Sequence, residues 1–157
     1  MPLKNFIKSI CLSLALITPL SMSTTANAAE LIKKSSPHSV KQTIDNLEAA
    51  VKKAGATVFA RVNHAAGAKK VGLTLRPTEM LMFGNPKLGT PAMNLAQSAG
   101  LDLPLRVVAF EDKDGKVHIA YHAPSTLSKN HGIPSDAKVL AKMTGALNKL
   151  TNAAIKK

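Results

Sequence analysis

Apolar positions along this chain recur with two periods, and the places where the period changes mark the elements. Val40, Ile44, Leu47 and Val51 return every three or four residues and form one stripe of a helix. Lys41, Asp45, Glu48 and Lys52 fall elsewhere around it. Ser39 with Gln42 has capping-box spacing, Ser36-Pro37 is a competing start, and Gly55 is the expected stop. A second stripe, Leu140, Met143, Leu147 and Leu150, predicts a final helix capped by Ser135 or Asp136, with Thr151 to Lys157 fraying. Between the stripes the pattern is that of strands. Glu30 to Ser35 reads as an edge strand, and Ala56 to Asn63 is rich in β-branched and aromatic residues. In Thr78 to Phe83 the run Met80-Leu81-Met82-Phe83 is apolar on both faces. It predicts a central strand covered on both sides, or by helices on one side and a second subunit on the other. Leu103 to Asp112 and Val117 to His122 alternate, and Lys113-Asp114-Gly115-Lys116 joins them as a hairpin turn.

Shorter signals fill the gaps. His64 to Val71 suits a short helix weakened by Gly67, and Gly84-Asn85-Pro86 must break the preceding strand. Thr90-Pro91 reads as a helix start with Gly100 as its stop, and Pro124 to Asn130 as a helical turn. The order β-α-β-(α)-β-α-β-β-α predicts an α+β two-layer domain: a five-stranded, mostly antiparallel sheet with helices packed on it.

The first residues read differently. Lys4 and Lys8 precede an apolar run, Ile10 to Leu20, too short to cross a bilayer, and Ala26-Asn27-Ala28 is a small-residue cleavage site. Residues 1–28 are therefore expected to be a cleaved signal peptide and 29–157 a single domain, periplasmic or secreted, with no transmembrane segment after cleavage. Cys11 would leave with the peptide, so the mature chain has no thiol. The whole chain carries 21 Lys and Arg against 9 Asp and Glu, a net +12, and the mature part about +10. Scattered cations, few aromatics to stack bases and an exported location argue against nucleic acid. An acidic partner or an anionic surface suits this charge.

Three segments, Phe83 to Thr90 (FGNPKLGT), Leu101 to Arg106 (LDLPLR) and Phe110 to Val117 (FEDKDGKV), occur in that order. Together they resemble the bacterial family called domain of unknown function 302, over about Glu30 to Ser128. The resemblance implies a compact α+β domain, often a homodimer, with no established activity. The family's usual Ile-Asp-His after the second strand appears here as Val62-Asn63-His64, so a carboxylate is lost where a base or metal ligand would have stood.

The remaining residues offer no complete catalytic set. His118 and His122 are four apart, but on a strand that is about 13 Å, so they read as solvent-face histidines. Met80 and Met82 share a strand face and could offer thioethers to Cu(I); core filler is the simpler reading. Ser125, Thr126 and Ser128 lack a nucleophile-elbow pattern, and Gly84-x4-Gly89-Thr90 lacks the lysine of a phosphate loop. Asp102 before Pro104 suits a turn. The expected site is a cleft of Asn63, His64, Phe83, Gly84, Asn85, Pro86, Asp102 and Glu111, with Phe83–Thr90 beside Leu101–Pro104 and Asp102 capping donors near Asn85. The expected function is a non-catalytic binding or interaction protein with no cofactor. A metal- or haem-binding protein using His64, and a hydrolase using Asp102 or Glu111 with His64, are the alternatives.

Overall fold

The stripe Val40, Ile44, Leu47, Val51 is buried along one side of a helix, and its position sets the architecture. In the computed structural model, which describes residues 30–157, it packs on a sheet of five antiparallel strands. The expected leader and cleavage after Ala28 lie outside the described residues. The strands are β1 (Leu31–Ser36), β2 (Thr57–Asn63), β3 (Thr78–Gly84), β4 (Leu105–Glu111) and β5 (Val117–His122), in the order β1-β5-β4-β3-β2. The helices are α1 (Val40–Lys53), α2 (His64–Lys70), α3 (Pro86–Leu95), α4 (Ser125–His131) and α5 (Lys138–Ala154), with a 3-10 turn at Gln97–Leu101. This is the α+β two-layer arrangement that the order of elements predicts.

One face of the sheet takes both long helices. Leu81, Phe83, Val107, Ala109, Ile119 and Tyr121 meet α1 and the Leu147, Leu150 and Ala154 side of α5. Arg61 adds an ionic tie across this layer. It holds Glu79 through two nitrogens, at 2.7 and 3.2 Å, and reaches Asp45 and Glu48 on α1 at 2.7 and 3.2 Å. The opposite face carries Met80, Met82, Val108 and Phe110, all half-buried. The run Met80–Phe83 is thus covered by helices on one side, and the middle position in the sheet belongs to β4 rather than β3. A smaller second core, Ala92, Ala99, Leu127, Ile133, Leu140 and Met143, fills the space between α3, the 3-10 turn, α4 and α5.

Four helix boundaries differ from expectation. Asn85-Pro86 repeats the cap-plus-proline signal of Thr90-Pro91 directly after the strand, so α3 starts there and Pro91 lies inside it. Asn85 Oδ1 accepts from the Lys87 N–H at 2.9 Å. The helix ends at Leu95 and the 3-10 turn carries the chain past Gly100. Ala137 precedes α5 without a side-chain cap, so neither Ser135 nor Asp136 caps it. The end of α5 does not fray at Thr151, because Thr151 and Ala154 are fully buried against the sheet layer and hold the last turns in place. Ser39 caps α1 as its spacing predicts, accepting from the Gln42 N–H at 3.2 Å, whereas the Gln42 side chain turns to Asn46.

Candidate functional site

Antiparallel pairing of β3 with β4 sets Phe83 opposite Leu105, so the segment after β3 and the segment before β4 are neighbours. The Phe83–Thr90 turn therefore lies beside Leu101–Pro104, and Leu103–Pro104 is a cis peptide. A register shift between Val58 and Ala60 on β2 brings the Phe59 ring to the same place. A Cβ on Gly84 would lie 3.5 Å from Phe59 Cε2 and 3.6 Å from Pro104 Cβ. The missing side chain leaves a half-open groove of about 280 Å³, walled by Phe59, Leu88, Met93, Leu103, Pro104 and Met143 with Gly84 among them. That is the small end of the range for ligand pockets, and its walls are apolar as such pockets usually are.

Beside the groove is a polar cluster that sequence reasoning found only in part. Asp102 does not reach the Asn85 turn; Asn85 caps its own helix. Asp102 accepts instead from His131 Nε2 at 2.8 Å, Arg106 at 3.2 Å and Asn130 at 3.3 Å. His131 hydrogen bonding, with help from Asn130 and the Arg106 and His131 charges, holds the Asp102 carboxyl below the usual carboxylate range. On its other side, His131 Nδ1 lies within hydrogen-bond distance of Ser98 Oγ, at 3.1 Å. Ser98, His131 and Asp102 are the residue types of a hydrolytic triad. Ser98, however, is exposed on the 3-10 turn and does not line the groove, so the chain of bonds acts as a tie between that turn and α4. His131 was invisible in the sequence because its partner lies 29 residues away. Its only local signal is Gly132, which ends α4 at φ 71°.

The eight expected site residues do not form one cleft. Gly84, Asn85 and Pro86 line the groove, Asp102 lines a separate groove with Arg106 and Asn130, and Phe83 lies in the core at 2 % exposure. Asn63, His64 and Glu111 are at the other end of the sheet. Asn63 pairs with Glu79, and the Glu111 N–H donates to the Pro77 carbonyl, which puts all three where β3 begins. The length of β3, about 17 Å from Glu79 to Gly84, separates the two sets. The cause is antiparallel pairing: the end of β2 and the end of β4 must meet the start of β3, and the end of β3 cannot be there as well. Asn63 caps α2, accepting from Ala66 N–H at 2.8 Å, and His64 is exposed at the first position of that helix.

The two strand histidines also differ from expectation. His122 is exposed, but His118 is 7 % exposed and donates from Nε2 to Asp112 Oδ2 at 2.7 Å. Asp112 Oδ1 accepts from Asp114 N–H and Lys116 N–H as well, both at 2.9 Å, so one carboxylate closes the β4–β5 hairpin. These bonds, His118 first, pull the Asp112 carboxyl down to about 2. Among the described residues no group of three or more His, Cys, Asp and Glu is placed to hold a metal ion. A second groove of about 330 Å³ passes Met80, Arg106, Val108 and His122 and reaches Asp102, Leu127 and Leu147.

This fold has solved relatives. The chain superimposes on the crystal structure of an uncharacterized conserved DUF302 protein from Bacillus stearothermophilus with a TM-score of 0.71 and 20% sequence identity, covering 79% of this chain and 97% of that one. Among curated proteins it is 45% identical over 117 residues to proteins named fluoride-specific ion channel FluC 1 of Brucella suis biovar 1 and fluoride-specific ion channel FluC 2 of Brucella melitensis biotype 1. The match takes 73% of this chain but only 46% and 43% of those proteins, so the chain spans less than half the length of these relatives. The family model described as domain of unknown function DUF302 matches residues 32–150, and the chain belongs to that family.

Proposed function

We propose that this chain is an exported, non-catalytic binding domain whose ligand occupies the groove between the Gly84–Thr90 and Leu101–Pro104 segments. One observation carries the reading: the two motif segments meet around a glycine floor that leaves room for a guest among apolar walls. The walls supply burial rather than reacting groups, so the ligand class is a small apolar molecule or the apolar end of a larger one. Fluoride conduction, named for the Brucella proteins, is assigned in this reading to the part of them that this chain does not match. No helix among the described residues is long and apolar enough to cross a membrane. The test is native mass spectrometry of the exported protein, with extraction and identification of any bound molecule. A co-purified apolar molecule that Gly84→Leu excludes, at unchanged melting temperature, supports the reading. An adduct that survives Gly84→Leu places the ligand elsewhere. The same sample reports on the alternatives, because haem or bound metal through His64 would appear in its visible spectrum and metal content. Turnover abolished by His64→Ala would favour the hydrolase.

A homodimer is a second reading, favoured by the half-buried Met80, Met82 and Val108 on the sheet face that α1 and α5 leave uncovered. A second copy laid on that face would bury them. Light scattering of the wild type and of Met80→Glu decides it: a dimer that the substitution splits supports pairing through this face.

A further inference from the structure

Exposed large apolar side chains are normal when scattered and informative when they cluster. The described residues expose seven: Leu31, Phe59, Val71, Leu73, Leu75, Leu95 and Leu101. Three of the seven, Val71, Leu73 and Leu75, fall within five residues, at 71, 67 and 47 % exposure. Every residue from Lys69 to Pro77 is exposed. The loop is nevertheless held in one shape. Gly72, at φ 74°, ends α2, and the Gly72 and Leu73 N–H groups donate back to the carbonyls of Lys69 and Ala68 at 3.2 and 3.0 Å. That is a Schellman ending, in which the residue after the glycine ordinarily packs back on the helix. Here that residue is Leu73, and it stays 67 % exposed. At the far end Arg76 is pinned by its Nε bond to the Glu111 carbonyl at 3.2 Å, and Thr78 Oγ1 donates to the Arg76 carbonyl at 3.0 Å.

Lys69 and Lys70 precede the apolar tip and Arg76 follows it. None of the three forms an ion pair among the described residues. Beneath the tip the loop stands off α1, leaving an open space of about 560 Å³ edged by Val40, Lys41, Leu73, Leu75 and Glu79. A rigid apolar tip ringed by unpaired cations needs a partner that takes hydrophobic side chains and negative charge together.

We infer that the loop Lys69–Arg76 docks this domain on an anionic lipid bilayer, with Val71, Leu73 and Leu75 in the headgroup–acyl boundary and Lys69, Lys70 and Arg76 on lipid phosphates. The arrangement is that of an interfacial anchor, in which shallow apolar burial and attraction to anionic lipid act together. A second copy of the chain is the weaker occupant. Pairing the loop with itself would face these cations with one another, and acids elsewhere are scarce: five of the nine carboxylates, Asp45, Glu48, Glu79, Asp102 and Asp114, already pair with lysine or arginine, and Asp112 is taken up by His118.

The experiment is co-sedimentation of the domain from residue 29 onward with vesicles of phosphatidylcholine alone and of phosphatidylcholine with phosphatidylglycerol. Binding is expected only with phosphatidylglycerol, and weakening with salt. The triple variant Val71→Ser, Leu73→Ser, Leu75→Ser keeps every charge and is expected to bind at least about tenfold more weakly. Lys70→Glu is expected to lose about fivefold or more. Circular dichroism melting of each variant separates loss of docking from loss of fold. Leu73→Trp gives a direct reading, since its indole emission should shift to the blue on phosphatidylglycerol vesicles. No binding to phosphatidylglycerol, binding unchanged in the triple variant, or an indole emission of Leu73→Trp that does not move would each overturn the inference. So would a dimer in solution that the triple variant dissolves.

Discussion

The two ends of the sheet are built from similar parts and handle apolar surface in opposite ways. Each has a histidine donating from Nε2 to an aspartate, His131 to Asp102 at one end and His118 to Asp112 at the other. Where β3 ends, α3, the 3-10 turn, α4 and α5 assemble a second core, and the groove beside Gly84 is left unfilled at its edge. Where β3 begins, one short helix with no buried residue is followed by a loop with its apolar residues outward. The difference lies in the amount of chain available. Four elements fold against one another at the first end, whereas α2 alone has too little apolar surface to gather its loop. Residual apolar surface lines a groove at the well-covered end and stands exposed on a loop at the other.

The largest test breaks the layer that joins the two ends. Leu81 on β3 is fully buried in the core between the sheet and α1, so Leu81→Asp should abolish cooperative thermal unfolding. An unpaired buried carboxylate costs several kcal/mol, comparable with the whole margin of a domain. A melting temperature like that of the wild type would refute the central packing.

Next, the two histidine pairs set the ends against each other. His131→Ala removes a buried ring and leaves Asp102 with the weaker Arg106 and Asn130 bonds. Denaturant titration should show a loss of about 2 to 3 kcal/mol. His118→Ala should cost less, about 1 to 2 kcal/mol, because Asp112 keeps its two backbone donors. Equal losses would mean that α4 is not secured through His131.

Acid titration gives a smaller effect with a defined sign. The Asp112 and Asp102 carboxyls are depressed in the folded state, so each contributes stability above the unfolded carboxylate value of about 4. For Asp112 that contribution disappears as pH falls toward about 2. Between those limits Asp112→Asn should flatten the acid limb of the stability profile. Identical limbs for wild type and Asp112→Asn would argue against the hairpin clasp.

What could be read from the sequence was whatever is periodic or local. The Val40–Val51 stripe, the alternating β4 and β5, and the Asp114-Gly115 turn each carry their own geometry. The cap-and-proline signal occurred twice within a few residues, at Asn85-Pro86 and Thr90-Pro91, and nothing local favoured the first. Being adjacent to the end of β3 did. The site was half legible. Antiparallel pairing brings Gly84 to Pro104, as the sequence suggested, but it also sends Asn63, His64 and Glu111 to the far end. Which ends meet depends on strand order, and strand order is set by packing against α1 and α5 rather than by any one segment. His131, His118 and Phe59 escaped for the same reason: their partners are Asp102, Asp112 and Gly84, and those meetings exist only after the sheet has formed. The exposure of Val71, Leu73 and Leu75 escaped too, since an apolar triplet after a helix reads as ordinary packing until nothing packs on it.

The methionines report directly on whether the groove beside Gly84 takes the proposed apolar guest. Met93 and Met143 line that groove, whereas Met80 and Met82 lie on the helix-free sheet face. With the methionine methyl groups labelled with carbon-13, the domain is titrated with hexanol and followed by NMR. Saturable shifts are expected at Met93 and Met143, none at Met80 and Met82, with loss of the response in Gly84→Leu. Shifts confined to Met80 and Met82, or a Met93 response that survives Gly84→Leu, would contradict the proposal.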